Sequence, residues 1–155
     1  MPMRVILSLL ASLLLLTACG TGDDDGLRLA EQIAGTWYRG WQEGDVVIEG
    51  RDDVYPDNFS YDRFVFYDDG TYNGMVKKGS AETYDMFGDL IYAGTYECDN
   101  NNLRLTFTDE HGSRQVIHAQ VLMFSPEVIL LRYDSSDYGV TVTMKLYSSS
   151  STSAE

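Results

Sequence analysis

The sequence is poor in basic residues, and this shortage limits the partners that the protein can have. Its 155 residues include 11 lysines and arginines against 24 aspartates and glutamates, which gives a formal net charge of -13 at pH 7. A surface of this charge repels phosphate groups, so we expect no nucleic-acid partner. Anionic lipid head groups are disfavoured for the same reason. Basic partners remain possible, although acidity also keeps an exported protein soluble.

Residues and motifs that usually carry catalysis are also scarce. The chain has two histidines, His111 and His118, and they do not stand at the spacing of a metal-binding pair. It has no glycine-flanked nucleophilic serine and no phosphate-binding loop. We therefore predict a protein that is not an enzyme and that uses no metal or cofactor.

The sequence also lacks an apolar run long enough to cross a bilayer as a helix. Residues 5–16, which follow Arg4, have only the length of a signal-peptide core. They lead into Leu-Thr-Ala-Cys at positions 16–19, which resembles the lipobox of bacterial lipoproteins. The resemblance implies cleavage before Cys19, a diacylglyceryl group on its sulfur, and a membrane anchor. The alternative is an ordinary secretory signal with an incidental cysteine.

Cysteine is too scarce for an internal disulfide. With Cys19 acylated only Cys98 remains, and its position at the end of a predicted strand favours a small buried hydrophobe. We divide the chain into a signal peptide (1–18), an acidic, glycine-rich tether (19–26), one domain (27–147) and a serine-rich tail (148–155). Glycine rather than aspartate after Cys19 argues against retention in the inner membrane of a Gram-negative bacterium. We therefore expect the outer membrane, on its periplasmic or cell-surface side.

What the domain does contain is the pattern of an all-β chain after a short helix over residues 27–33. The segments between the strands are short and rich in Asp, Asn, Gly or Ser, which suits tight hairpin turns. Consecutive strands should then be antiparallel neighbours, and eight such strands close into an up-and-down barrel. The predicted strands are residues 36–42, 61–67, 71–77, 90–98, 103–108, 113–124, 128–133 and 140–147.

Alternation within these strands predicts their inner faces. The side chains expected on one face are Val140, Val142, Met144 and Leu146; Leu103, Leu105 and Phe107; and Ile117, Ala119, Val121 and Met123. Alternation does not show whether the interior is filled or holds a cavity, because an eight-stranded barrel permits both. A filled barrel is the interpretation that we slightly favour.

One short pattern occurs three times: Gly-Thr-Trp at 35–37, Gly-Thr-Tyr at 70–72 and Gly-Thr-Tyr at 94–96. The first copy follows the short helix and opens the first strand, as the first lipocalin signature does. Over residues 33–147 the chain resembles the lipocalin-like domains of Gram-negative lipoproteins. The resemblance implies that Trp37, after Gly35, plugs the closed end of the barrel. It also implies that a late-strand arginine, here Arg132, stacks over the ring of Trp37.

Two long stretches break the regular pattern, and we expect functional residues there. Residues 43–60 would cover the open mouth of a lipocalin-like barrel, although positions 46–48 could instead form one more strand. In residues 78–89 the apolar side chains could line the mouth or form a satellite cluster under a loop, and we slightly prefer the cluster. The candidate ligand-binding residues are Val46, Ile48, Tyr55, Phe59, Tyr84, Met86 and Phe87.

Two functions remain open at this point. The first is a lipid-anchored binding module, with no catalytic role, that holds a small apolar or amphipathic molecule at the barrel mouth. The second is a solid barrel that acts as an accessory subunit or inhibitor and binds a protein partner through its acidic loops.

Overall fold

Short polar turns and alternating apolar residues produce nine antiparallel strands in the part of the chain that the computed structural model describes, residues 28–109 and 111–149. One turn of helix, α1 (Leu29–Gln32), precedes them. The strands are β1 (Gly35–Arg39), β2 (Val46–Glu49), β3 (Arg63–Phe66), β4 (Lys77–Tyr84), β5 (Leu90–Cys98), β6 (Asn102–Thr108), β7 (Arg114–Phe124), β8 (Val128–Ser135) and β9 (Val140–Ser148). No described helix is long and apolar enough to cross a membrane.

Several predictions concern positions outside the described residues. The signal peptide, Cys19 and the tether all precede residue 28, and the tail beyond residue 149 lies outside as well. The predicted start of the tail is corrected by one residue, because Ser148 is the last residue of β9.

The nine strands form an eight-stranded barrel because β1 and β2 both lie beside β9, one after the other, and together fill the place of one strand. β1 pairs with the end of β9, where Trp37 is opposite Ser148, and β2 pairs with an earlier part of β9, where Val46 is opposite Met144. Both ends of the intervening segment, residues 40–45, are hydrogen-bonded to the backbone of Lys145. From β1 the sheet continues through β3 to β9, and the β1–β9 pairing closes it. The predicted eight-stranded antiparallel barrel is confirmed, and positions 46–48 belong to β2 as the alternative proposed.

Side chains from all strands meet in one buried core inside the barrel, which agrees with the filled interior that we favoured. The predicted inner faces of β6 and β9 are confirmed. On β7 the prediction is wrong for Met123, whose side chain is exposed. A bulge between Val121 and Met123 shifts the register there, and Phe124 packs against the core instead.

The third predicted strand is also wrong, since residues 71–77 form mostly a turn and β4 follows them. The side-chain oxygen of Asn73 accepts hydrogen bonds from the backbone amides of Met75 and Val76, at 2.9 and 2.8 Å. Such side-chain bonds compete with strand pairing. β4 was mistaken for a loop because it contains charged residues and Gly79. That glycine is required, since a Cβ there would lie 2.8 Å from the ring of Tyr96 on the neighbouring strand.

The two ends of the barrel differ in construction. At the closed end, α1 packs its apolar side chains into the core, and the indole nitrogen of Trp37 donates to the carbonyl of Ile33 over 2.8 Å. Gly35 allows the chain to turn from the helix into β1, because its φ of +136° is rarely adopted by other residues. The opposite end, the mouth, carries the connections at residues 50–62, 85–89 and 136–139, and the described residues 109 and 111–113 between β6 and β7.

Candidate functional site

The mouth contains a cavity of about 470 Å³. The connection between β2 and β3 forms one wall, and the first residues of β5 and β7 and the last residues of β8 form the others. Its lining is dominated by tyrosines and by short polar side chains. The residues that carry the argument below are Tyr61, Tyr92, Gln115, Tyr133 and Tyr138.

Aromatic rings connect this cavity with the core below it. Tyr61 packs against Phe64 and Tyr92, with ring centroids 5.7 and 6.3 Å apart. Tyr92 stacks on Phe107 at 5.8 Å, and Tyr138 meets Phe59 edge to face at 5.2 Å. Rings held by such contacts present a fixed flat surface to a molecule in the cavity.

Two phenol groups at the cavity, those of Tyr61 and Tyr133, stay neutral at physiological pH. Burial raises the pKa of Tyr61 to about 12, and the neighbouring Tyr92 adds to the effect. Burial likewise raises the pKa of Tyr133, while the positive charge of Arg39 acts in the opposite direction. Gln115 donates to the hydroxyl of Tyr92 over 3.5 Å. A neutral phenol can both donate and accept a hydrogen bond, so the cavity offers polar contacts as well as rings.

Arg39 is a buried cation at the base of this region. Its guanidinium donates to the carbonyl oxygens of Phe59 and, over 2.9 Å, of Pro56. It also stacks over the ring of Trp41, 3.5 Å from the centroid. Burial lowers the pKa of Arg39, and its Nε has no hydrogen-bond partner among the described residues. The contacts to two carbonyls fix the segment that forms one wall of the cavity.

The segment predicted to be a lid, residues 43–60, is instead part of the barrel wall. Val46 lies in β2 with its side chain buried, and Ile48 packs against the core. Phe59 is buried as well and lines the mouth cavity. Of the four candidates in this segment, Tyr55 alone is an exposed side chain. Val46 and Ile48 therefore cover the core, whereas Phe59 lies between the core and the mouth cavity.

The second predicted stretch, residues 78–89, divides between β4 and a hairpin turn. Tyr84 is the last residue of β4, next to the inward-facing Thr83, and so lies on the outer surface. There its hydroxyl donates a hydrogen bond to the carboxylate of Glu82, and the guanidinium of Arg63 lies 4.1 Å from its ring. Met86 and Phe87 stand exposed in the turn, so the preferred prediction of a cluster beneath a loop is wrong.

The predicted plug needs one correction. Trp37 is buried at the closed end as expected. Arg132 follows the buried Leu131 on β8, so alternation turns it outward, where its guanidinium lies 3.7 Å from the carboxylate of Glu49. An arginine does stack over a tryptophan in this barrel, but the pair is Arg39 and Trp41.

The residues that sequence reasoning missed lie at inward positions of their strands. Arg39 is two residues after Trp37, and Tyr133 is two residues after Leu131, so each shares the face of a buried neighbour. Tyr92 precedes Tyr96 on the same face of β5. Strand alternation is therefore the signal that could have found these residues.

The remaining candidate groups do not assemble into a second site. Cys98 is fully buried, and burial raises its pKa to about 12, so its thiol stays protonated. His118 lies in an open groove of about 770 Å³ on the outer face of β5 to β8, beside the surface pair of Glu97 and Arg104. In the described part of the chain, no three His, Cys, Asp or Glu side chains are placed to hold a metal ion.

Residues 33–126, more than half of the chain, match the model of the lipocalin-like domain family. Among solved structures, a redesigned β-barrel is similar, with 17% identity, a TM-score of 0.46, and coverage of 76% of this chain and 92% of that one. No curated protein matches the sequence.

Proposed function

Because this chain belongs to the family of lipocalin-like domains, we propose that it is a non-catalytic, lipid-anchored envelope lipoprotein that binds a small amphipathic molecule at the barrel mouth. The observation that carries the proposal is the mouth cavity, about 470 Å³ in volume and lined by four tyrosines with polar side chains around them. Concave sites that combine ring surfaces with a few polar groups are typical of small-molecule binding.

The lining favours an amphipathic ligand over a purely aliphatic one. An aliphatic chain would displace water from the phenols and from Gln115 without replacing their hydrogen bonds, which is costly. A molecule with a ring and polar substituents can stack on Tyr61 or Tyr92 and still satisfy those groups. The filled core below the cavity limits the ligand to the mouth, so we expect a compact molecule.

The proposed anchor is compatible with an accessible mouth. The tether would join the domain just before α1, which packs at the closed end. An anchor there leaves the opposite end free to face the aqueous phase, where a dissolved ligand is available. We propose an outer-membrane location on the basis of Cys19 and the residues after it, and Cys19→Ala should abolish partitioning into the detergent phase.

A fluorescent-dye titration tests ligand binding. The uncharged aromatic dye Nile red should bind the folded parent protein saturably, and Ser136→Trp, which places a large ring at the mouth, should weaken binding by about tenfold or more. Asn100→Trp, in an exposed turn at the closed end, is the matched control and should leave binding unchanged. Melting curves of all three proteins confirm that each is folded.

The alternative function predicts a different result. A solid barrel that only binds a protein partner would show no saturable dye binding in the folded parent, and Ser136→Trp would then change nothing. That outcome would reject the small-molecule proposal and favour an accessory subunit or inhibitor.

A further inference from the structure

Four large apolar side chains stand exposed beside the mouth, and we call them the rim patch. They are Trp41, Tyr55, Met86 and Phe87, with exposed fractions of 44%, 62%, 60% and 82%. Trp41, Met86 and Phe87 line a hollow of about 300 Å³, and Trp41 and Tyr55 line an adjoining one of about 410 Å³. Exposed apolar groups clustered in this way usually mark an interaction site.

The turn that carries Met86 and Phe87 is held in one conformation. The side chain of Asp85 accepts hydrogen bonds from the backbone amides of Phe87 and Asp89, both at 2.9 Å. The amide of Asp85 also donates to the carbonyl of Asp89 over 2.9 Å. The exposure of Phe87 is therefore a fixed feature of the hairpin. Because the backbone of the turn is already ordered, little backbone entropy is lost when a partner covers it.

Trp41 is fixed by two independent contacts. Its indole nitrogen donates to the carboxylate of Asp62 over 2.7 Å, and the guanidinium of Arg39 covers its ring at 3.5 Å. One surface of the indole is thus occupied by the protein's own cation. Tryptophan is among the residues that contribute most to binding at protein interfaces.

The surroundings of the rim patch are acidic. Asp57 and Asp85 line the hollow itself, and Glu43 and Asp57 line the adjoining one. The nearby cation, Arg39, is buried, and its two terminal nitrogens donate to backbone carbonyls. The patch therefore offers carboxylates and aromatic rings, both of which attract a cationic group.

We propose that the rim patch binds a segment of a partner protein that presents a lysine or arginine side chain next to an apolar side chain. The apolar side chain would fill the hollow against Met86 and Phe87, and the cation would lie between Asp57 and Asp85. This site adjoins the mouth cavity, with which it shares Ser60 and Ile91, but it includes none of the tyrosines that line the cavity. It can therefore be tested without assuming that a small molecule binds.

Short synthetic peptides titrated into labelled protein and followed by NMR provide the test. A peptide with a leucine–lysine–leucine core should shift the indole signal of Trp41 and the amide signals of residues 85–89 saturably. Peptides with leucine–glutamine–leucine or serine–lysine–serine cores should bind about tenfold more weakly, because each lacks one of the two groups recognised.

Matched variants separate the contribution of the apolar contact from that of the charge. Met86→Ser should weaken binding of the leucine–lysine–leucine peptide, and Met75→Ser, at a more exposed methionine near the closed end, should not. Asp85→Asn should weaken binding by several-fold while keeping the acceptor oxygen of its turn. Asp99→Asn is its control, since Asp99 accepts two backbone hydrogen bonds in the same way in the turn between β5 and β6.

Three outcomes would overturn the proposal. Equal binding of the glutamine and lysine peptides would show that no cation is recognised. The absence of saturable shifts with the folded parent would show that the patch does not bind such a segment. Concentration-dependent self-association that Phe87→Ser abolishes would show that the patch pairs with a second copy of this chain.

Discussion

The closed end and the mouth of this barrel are built from the same strands but serve different needs. At the closed end, Leu29 of α1, Trp37 and Cys98 are buried in the core, and three-residue turns join β5 to β6 and β7 to β8. At the mouth, a cation and several phenols lie among the apolar rings, and large side chains remain exposed. Stability is therefore expected to depend mainly on the closed end, and recognition mainly on the mouth.

The difference follows from whether water reaches the side chains at each end. A closed end that admits no water gains free energy for every apolar side chain that it buries. A mouth that is open to water keeps polar groups solvated and gains less free energy from burial. Substitutions of the same chemical kind at the two ends should consequently differ in cost, and the predictions below compare them from the largest expected effect to the smallest.

The largest effect is expected for the two tryptophans. Trp37→Ala should lower the free energy of unfolding by about 3–5 kcal/mol, because it removes a buried aromatic side chain. Trp41→Ala, near the mouth, should cost about 1 kcal/mol or less, because much of its ring is already exposed. Urea unfolding measures both values. Equal costs would contradict the proposed division between the two ends.

A second large effect on the free energy of unfolding is expected for Arg39. This residue is buried near the mouth, so the stability of that end depends on it in part. Arg39→Met should cost about 2–4 kcal/mol, because it leaves the carbonyls of Pro56 and Phe59 without their donor. Arg132→Met, at a half-exposed guanidinium on the outer surface, should cost less than about 1 kcal/mol. Similar costs for the two variants would show that Arg39 does not fix the wall segment.

These comparisons also show what the sequence could reveal. The fold was predictable because β6 and β9 alternate strictly between apolar and polar residues and because Asp, Asn and Gly mark the turns. The position of β4 was not predictable, because its inward-facing residues include Gly79, Ala81 and Thr83, which are small or polar. The bulge at Met123 was not predictable either, since no residue type in the sequence marks the position of a bulge.

The site was harder to predict than the fold for a physical reason. Apolar residues in a long connection suggest a lid, but here Val46, Val54 and Phe59 complete the wall between β2 and β3. The groups that line the mouth are instead polar residues at inward strand positions, such as Tyr133. A sequence shows the period of a strand, but it does not show how deep in the barrel a polar side chain will lie.

A smaller effect should separate the hydroxyl groups of two tyrosines. Tyr96→Phe should cost about 1 kcal/mol, because the Tyr96 hydroxyl donates to the carbonyl of Tyr67 over 2.9 Å near the closed end. Tyr61→Phe should change stability by less than about 0.5 kcal/mol, since among the described residues the Tyr61 hydroxyl has no hydrogen-bond partner. If the mouth does bind a polar ring, Tyr61→Phe should instead weaken dye binding.

The last effect, which is absent at neutral pH, is a change in the alkaline stability of the mouth. Burial raises the pKa of Tyr61 from its ordinary value of 10.0 to about 12, so the folded state holds this proton more tightly than the unfolded chain does. Its contribution to stability is complete below the unfolded pKa and is lost as the pH rises towards the folded pKa. Stability should therefore fall between about pH 10 and 12, and Tyr61→Phe should make that fall shallower. Tyr55→Phe, at an exposed ring, is the control and should follow the parent curve. Urea midpoints across this range measure the slopes, and a Tyr61→Phe curve parallel to the parent would show that Tyr61 is not buried in the mouth.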